Sequence, residues 1–272
     1  MIALVGGMAI GLCLGLLGSG GSILTVPILV YLLGHDPKAA IGESLAIVGG
    51  IALLAAIRPM IRREVDWMSV VFFGLPGILG TVAGVWGSRW IAGPVQLLIF
   101  AVVMLAAAGL MFRGGGRASE ESQRSRSNRD RGLLVLEGSF VGVLTGIVGV
   151  GGGFLIVPAL VLLARLPMRT AVGTSLLIIA AKSGAGFLQA MNQSSEATGT
   201  MDFKVVGAFL LLGGVGGLLG GLIGARLPQR RLRRIFAVFL MVAGLAILVI
   251  EGSAMLAVTS GNEQAASTSD AA

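Results

Sequence analysis

The 272-residue chain is 55% hydrophobic and only 12% charged, and its formal net charge is +7. A soluble globular domain carries about 25% charged residues, so this composition excludes a water-soluble fold and indicates an integral membrane protein. The long apolar runs lack the period-two alternation of a transmembrane β-barrel, and no basic patch interleaved with aromatic residues points to nucleic acid as a partner.

Apolar runs follow one another along the chain and fall into two sets of five. The first set is 1–17, 22–33, 39–57, 67–88 and 94–112. The second set is 133–148, 153–164, 170–190, 204–225 and 235–251. The first two runs of each set are too short to cross a ~30 Å hydrocarbon core, whereas the other three reach the ~20 residues that a span needs. We therefore predict an all-α, polytopic membrane protein with two halves of five helical segments each.

Polar segments divide the chain into four parts. We predict a first transmembrane repeat over 1–112, a flexible linker over 113–132, a second repeat over 133–252 and a disordered tail over 253–272. The linker is rich in Gly, Ser and Arg, and the tail is small and polar.

The arginines predict the orientation of the helices. They concentrate in the linker and in the connections around Arg58, Arg165 and Arg230, which marks these segments as cytoplasmic. The connection 191–202 contains acids and no arginine, so we place it outside, as we do both termini. The halves then lie upside down relative to one another, as an inverted repeat in the cell (inner) membrane.

Glycine, with 44 residues, is concentrated in two clusters that repeat one another. Gly18-Ser19-Gly20-Gly21-Ser22 recurs as Gly149-Val150-Gly151-Gly152-Gly153 at a constant offset (149 − 18 = 131), and each cluster is followed by a proline. The same offset relates Gly42-Glu43-Ser44 to Gly173-Thr174-Ser175. Glycine-broken short apolar segments at matching places in two halves indicate the substrate site of a transporter built from repeats.

Each cluster is predicted to form the tip of a re-entrant hairpin, and the two tips are predicted to meet near the membrane centre. Unpaired backbone N–H groups at such tips, with the N-termini of the following helices, form an anion site. The predicted substrate-binding residues are Gly18, Ser19, Gly20, Gly21, Ser22, Gly149, Gly151, Gly152, Gly153, Ser44, Thr174 and Ser175. The alternative is that the glycines only permit close helix packing.

Two ionisable residues fall inside apolar runs. Lys182 lies in the middle of its run and is predicted to bind the anionic substrate, with a structural ion pair as the alternative. Glu43 lies near the start of its run and is predicted either to face water or to take part in proton coupling. His35 is predicted to be solvated. The chain has a single cysteine, Cys13, and a single histidine, which is too few for a cluster of metal ligands. We therefore predict no metal and no cofactor.

A second internal match concerns helix packing. Glycines at 77, 80, 84 and 87 correspond to glycines at 214, 217, 221 and 224, and their spacing gives each helix a smooth face. Asp66 and Asp202 stand just before these two helices, and we predict that they are N-caps.

The paired glycine clusters and Gly173-Thr174-Ser175-Leu176 resemble the TauE/SafE sulfite-exporter family of bacterial and archaeal membrane proteins. The resemblance covers nearly the whole chain outside the linker and tail, but Glu43 stands where the family pattern favours Thr. It implies a carrier for a small anion such as sulfite, sulfoacetate or a related organosulfur compound. It also implies substrate-binding roles for the two clusters and for Thr174-Ser175.

We therefore predict a secondary transporter that moves a small anion through the lipid bilayer by alternating access. An intramembrane serine protease built on Ser19 would need a base nearby, and the only histidine lies in a loop, so we predict no enzyme. A passive anion channel and a non-transporting membrane protein remain as alternatives. The sequence leaves open which anion is moved, in which direction, with which coupling ion and in which oligomeric state.

Overall fold

The structure is a computed structural model. It describes residues 2–19, 21, 25–26, 28–35, 37–88, 90–91, 93–113, 128–148, 153–193 and 202–269. Within these residues helices are the only regular secondary structure, which confirms the predicted all-α fold.

Within the described residues, five helical segments have defined bounds in each half, and Gly21, Thr25 and Val26 are helical as well. The first half contributes α1 (Ile2–Leu17), α2 (Ile28–Leu32, one π-helical turn), α3 (Pro37–Ile61), α4 (67–88, with a π-helical segment at Val70–Gly74) and α5 (Gly93–Arg113). The second half contributes α6 (Asn128–Val148), α7 (Gly153–Leu162), α8 (Met168–Gln193), α9 (Phe203–Arg226) and α10 (Gln229–Ser269).

Five of these helices contain stretches that are long and apolar enough to cross a membrane. The stretches are Ala39–Ile61, Trp67–Gly87, Met168–Leu188, Phe203–Arg226 and Gln229–Val249. Shorter apolar stretches occur at Gly6–Leu17, Leu98–Arg113 and Gly153–Leu162. Large apolar side chains such as Leu79 and Leu211 are about three-quarters exposed on the outer faces, as expected for surfaces that lipid covers.

The helix boundaries differ from the prediction at the linker and the tail. α6 begins at Asn128, inside the segment predicted as linker, and α10 continues to Ser269, through most of the segment predicted as a disordered tail. The tail contains no proline and several good helix formers, so nothing local stops a helix that is already under way. Residues 114–127 lie outside the described residues.

The two predicted N-caps are confirmed. The Asp66 carboxylate accepts a hydrogen bond from Ser69 N at 3.0 Å, and the Asp202 carboxylate accepts one from Lys204 N at 2.8 Å. These bonds satisfy N–H groups that have no partner inside the first helical turn.

The closest helix contacts join one half to the other. α1 packs along α9, and α6 packs along α4. A Cβ added at Gly11 would collide with the carbonyl oxygen of Gly213, and a Cβ added at Gly142 would collide with that of Gly77. Helices approach this closely only where the side chain is absent, so the glycine faces are packing surfaces, as predicted.

These two contacts correspond residue by residue. Gly142 follows Gly11 by 131 residues (142 − 11 = 131), and Gly213 follows Gly77 by 136 residues (213 − 77 = 136). The sequence match of residue 77 with residue 214 is therefore wrong by one position. The run Gly213-Gly214 offers a glycine in either register, and only the packing distinguishes the two.

The contacts also fix the helix directions within each group. Gly7 faces Phe209 and Gly15 faces Gly217, so α1 and α9 run parallel. By the same criterion α4, α6 and α8 run parallel to one another, and α3 runs parallel to α9.

The two groups run in opposite directions. Gly49 of α3 faces Ser183 of α8, whereas Gly173 faces Pro59, so these two helices are antiparallel. Since α3 and α8 occupy matching places in the two halves, this is the direction that an inverted repeat requires. Which end faces the cytoplasm stays a prediction from the arginines.

Candidate functional site

The first glycine cluster lies against the beginning of α8. Gly18 ends α1 with a φ of +78°, a left-handed conformation that favours glycine. A Cβ added there would lie 2.7 Å from the hydroxyl oxygen of Ser175 and 3.0 Å from Val172 Cα. Ser19 is fully buried, and Gly21 packs on the backbone of Ile10. These described residues of the break are therefore enclosed by protein, as irregular backbone inside a membrane must be.

Several predicted site residues cannot be placed in this way. Gly20, Ser22, Gly149, Gly151 and Gly152 lie outside the described residues, and their roles stay predictions. Gly153 is described: it is buried and begins α7.

The predicted hydroxyl donors are engaged in bonds within the protein. The hydroxyls of Ser44 and Ser175 each donate to the carbonyl oxygen three residues earlier in their own helix at 2.8 Å. Ser175 Oγ also lies 3.1 Å from the carbonyl oxygen of Gly18, and Thr174 Oγ1 accepts a hydrogen bond from Asp66 N at 3.0 Å. In this conformation Thr174 and Ser175 connect α8 to other segments, Ser44 bonds within its own helix, and an anion would reach these hydroxyls only after those bonds change.

Lys182 lies near the middle of α8 and faces the contact between α4 and α6. Its Nζ donates to Thr81 Oγ1 at 2.8 Å, and Thr81 in turn donates to the carbonyl oxygen of Gly77 at 2.7 Å. Thr145 Oγ1 lies 3.4 Å from the same threonine hydroxyl. Among the described residues the only ion pair within 4.0 Å is elsewhere, between a histidine and a glutamate, so the structural ion pair considered for Lys182 is not found there.

A small cavity borders Lys182, which we call the lysine cavity. Its lining includes Gly77, Gly142, Ile156 and Ile178. Its volume of about 10 Å³ is close to the least that holds one water molecule. An ammonium group has three donors, and Thr81 satisfies one of them, so the others call for water or an anion. An anion enters this cavity only if α4, α6 and α8 move apart.

Whether the two predicted tips meet stays a prediction, because most of the second cluster lies outside the described residues. Gly18 itself does not lie beside Lys182. Ser175, which contacts Gly18, precedes Lys182 by seven residues (182 − 175), or ~10 Å along the helix. The reason is that α1 continues along α9 until Leu16 lies beside Gly224, close to the end of α9.

A buried carboxylate and a partly buried imidazole form a second polar group. Glu43 Oε2 lies 2.6 Å from His35 Nδ1, and Glu43 Oε1 accepts a hydrogen bond from Asp202 N at 2.9 Å. The side chains of His35 and Glu43 are 18% and 1% exposed. The predictions of a solvated histidine and of a glutamate that faces water are therefore wrong, because the turn before α3 folds His35 back onto the helix. No group of three His, Cys, Asp or Glu side chains in the described part of the chain is placed to hold a metal ion.

A second cavity, the arginine cavity, lies between the predicted cytoplasmic ends of α3, α8 and α9. Arg58, Glu64 and Arg169 line it, and its volume is about 30 Å³. Arg58 Nη1 donates to the carbonyl oxygen of Gly221 at 3.0 Å, and Arg169 Nη2 donates to two carbonyl oxygens at the end of α9. Arg169 Nε is buried without an acceptor in the described structure. Sequence reasoning used these arginines only to orient the helices.

The arginine cavity reaches the glycine break. Val172 lines the cavity and also contacts Gly18, and the last residues of α1, Gly15 and Leu16, form part of its wall. The arginine cavity, the glycine break and the buried lysine therefore follow one another along α8.

These features define a multi-pass, all-helical membrane protein with ionisable side chains buried among its helices. The chain belongs to the Sulfite exporter TauE/SafE family, whose pattern it matches over residues 3–247, and this confirms the resemblance drawn from the sequence.

Its relatives include proteins of similar length. The chain is 35% identical over 257 residues to the "Probable membrane transporter protein" of Xylella fastidiosa (strain 9a5c), which covers 92% of this chain and 94% of that protein. It is 27% identical over 273 residues to the "Probable membrane transporter protein YunE" of Bacillus subtilis (strain 168), with 93% and 98% covered. No solved structure matches the chain.

Proposed function

We propose that this protein is a secondary transporter that moves a small anion, such as sulfite, sulfoacetate or a related organosulfur oxyanion, by alternating access. Family membership and the names of the relatives support the transporter class. The observation that carries the proposal is Lys182, an ammonium group in the middle of an apolar helix, bonded to one hydroxyl and to no carboxylate of the described residues. A bound anion supplies the missing countercharge.

In the proposed bound state, an oxyanion accepts hydrogen bonds from Lys182 and from the hydroxyls of Thr81 and Thr145. Bonds between an ammonium donor and an anionic acceptor are about twice as strong as neutral ones. Three negatively polarised oxygens suit this set of donors better than a single carboxylate would, because the donors come from α4, α6 and α8.

Access to this site requires movement, because the lysine cavity is too small for an anion in the described conformation. The two tightly packed groups, α1–α3–α9 and α4–α6–α8, are the natural rigid bodies. They meet along the antiparallel contact of α3 with α8. Rocking along that contact opens the path from the arginine cavity past Gly18, Ser19 and Gly21 to Lys182 on one side and closes it on the other.

The experiment is uptake into proteoliposomes that contain the purified full-length protein, with a panel of sulfite, sulfoacetate, thiosulfate, sulfate and acetate. We expect saturable uptake of at least one sulfur oxyanion, and stimulation when the same anion is loaded inside. Lys182→Met should lower the uptake by ~10- to 100-fold, the range that corresponds to the loss of one hydrogen bond to a charged group. The matched control is Lys204→Met, since Lys204 is an exposed lysine in the first turn of α9.

The outcomes separate the alternatives. Flux that rises linearly with concentration and shows no counterflow would indicate a passive channel. Absence of flux for every anion on the panel, with correctly folded protein in the vesicles, would overturn the proposal. Equal uptake by wild type and Lys182→Met would remove Lys182 from the binding site.

A further inference from the structure

We infer that His35 and Glu43 form a proton-binding site that couples proton movement to anion transport. This inference rests on the proposed transport function. It follows from a comparison of matching positions in the two halves, which shows that the structural task of Glu43 needs no ionisable group.

Glu43 and Thr174 occupy matching positions (174 − 43 = 131), and they make the same bond. Each accepts the backbone N–H of the aspartate that caps a helix from the other half of the chain, within the same packed group of helices. Glu43 Oε1 accepts from Asp202 N at 2.9 Å, and Thr174 Oγ1 accepts from Asp66 N at 3.0 Å. The two aspartates themselves match at the offset of the packed helices (202 − 66 = 136). Because a threonine hydroxyl suffices for this bond, the carboxylate must be explained by something else.

The second oxygen of Glu43 provides that explanation. It lies 2.6 Å from Nδ1 of His35, and the position that matches His35 is Leu166 (166 − 35 = 131), a buried apolar residue. Both members of the pair are therefore non-ionisable in the other half. A buried carboxylate is costly unless it is paired, and imidazole is the side chain whose charge changes near neutral pH. The His35–Glu43 pair places a buried carboxylate next to an imidazole that can take up a proton.

The charged groups beside the pair come from the beginning of α9. The Asp202 carboxylate accepts hydrogen bonds from Lys204 N and Val205 N, and the Lys204 side chain is exposed. In the described structure Glu43 is thus the carboxylate that contacts His35 directly. The side chains of Asp36 and Lys38, which lie between the two in sequence, are outside the described residues.

The bond from Asp202 N to Glu43 gives the proton a mechanical effect. It ties α3 to the first residue before α9, and an ionised carboxylate holds an N–H about twice as strongly as a neutral acceptor does. When the neutral imidazole and the carboxylate together take up one proton, the net charge of the pair rises from −1 to 0. With the proton on the carboxylate, the bond to Asp202 N weakens, so the start of α3, which packs on α8 through Leu45 and Gly186, is held less firmly within its own group. One proton carried with one monoanion moves no net charge across the membrane.

The transport test uses the proteoliposomes described above, with an imposed pH gradient and a pH-sensitive dye inside. We expect the gradient to accelerate wild-type uptake several-fold and protons to move with the anion. Glu43→Thr installs the residue of the other half and should abolish the acceleration, as should His35→Leu. Glu137→Gln changes a partly buried carboxylate of α6 and should leave the acceleration intact.

A binding test does not depend on transport. His35 is the only histidine of the chain, so its imidazole NMR signals can be followed through a pH titration of the full-length protein in detergent. We expect the titration to change in Glu43→Thr and in Glu43→Gln, and to be unchanged in Glu137→Gln. An imidazole that titrates identically in all four proteins would overturn the inference, whether or not an anion has been found.

The two failures are distinguishable. If wild-type uptake occurs at the same rate with and without a gradient and no proton moves, the coupling inference is wrong while the transporter proposal stands. If His35 responds to Glu43→Thr but no anion is taken up, the proton site exists and the transport proposal is wrong. Should Glu43→Thr fail to fold, His35→Leu provides the same comparison.

Discussion

The contact of α1 with α9 and the contact of α6 with α4 share their backbone geometry and differ in the side chains beside it. Next to α4, Lys182 bonds to Thr81. At the matching positions next to α9, a methyl group of Ile51 lies 3.3 Å from where a Cβ of Gly217 would be. The offsets are again 131 (182 − 51) and 136 (217 − 81). One scaffold thus occurs twice, whereas the buried lysine occurs once.

Matched positions at the two contacts separate candidate structural residues from candidate functional ones. Residues that recur at both contacts, such as the interface glycines, serve the packing. Residues that differ between matched positions, such as Lys182 against Ile51 and Glu43 against Thr174, are candidates for function. The first class should affect folding when changed, and the second should affect transport.

The largest effect is expected from filling the shared contact. Gly142→Val and Gly11→Val each place a side chain into a backbone carbonyl of the facing helix. The facing helices can relieve this clash only by moving apart along the whole contact. We therefore expect a destabilisation of more than ~4 kcal/mol and loss of folded protein. Size-exclusion chromatography and thermal unfolding in detergent measure this.

The control for that prediction is Gly109→Val, because nothing lies within 4 Å of a Cβ added at Gly109. It should behave like wild type. If Gly142→Val folds normally while Gly11→Val does not, the α1–α9 and α4–α6 contacts do not share one geometry, and the comparison between them is wrong.

A change beside one contact should reduce transport and spare the fold. Thr81→Val keeps the shape of the side chain but removes the hydroxyl that accepts from Lys182. Since a hydrogen bond to a charged group contributes about 1.5–3 kcal/mol, we expect uptake to fall by at least ~10-fold. Initial uptake rates in proteoliposomes test this, and Thr81→Ser should keep most of the activity. A Thr81→Val protein that transports normally would show that this hydroxyl takes no part in binding.

The smallest effect is expected at Thr174, the residue that matches Glu43 in the other half. Thr174→Val removes the hydroxyl that accepts the hydrogen bond from Asp66 N, and the loss of such a bond costs about 1 kcal/mol. We expect the melting temperature to fall by a few degrees and proton coupling to persist. Thr174→Ser retains the hydroxyl and should melt like wild type. Loss of the pH response in Thr174→Val would mean that the Thr174–Asp66 bond takes part in proton coupling as the Glu43–Asp202 bond does.

Local patterns in the sequence predicted the parts of the structure that depend on local physics. Hydrophobic runs predicted the helices, Asp66 and Asp202 predicted their caps, and glycine spacing predicted the close contacts. The central place of Lys182 followed from counting residues along one apolar run. Each of these depends on a stretch of chain shorter than one helix.

The parts that failed depend on how distant segments dock. The sequence pattern does not place His35 beside Glu43, since the turn that holds His35 bonds back to Leu29 and Val30 before α3 begins. The depth of Gly18 was misjudged because α1 follows α9 almost to its end, a length that only the packed pair defines. Likewise, Arg58 and Arg169 reach carbonyl oxygens of α9, and a charge count along the sequence does not show this.

The exchange of first helices between the halves has a consequence for assembly. α1 is covered by α9 and α6 by α4, so neither half contains the partner of its own first helix. A chain cut between residues 113 and 128 would therefore yield two fragments, each of which lacks the helix that covers its own first helix and can obtain it only from the other fragment. Such fragments should be recovered only as a complex when they are produced together.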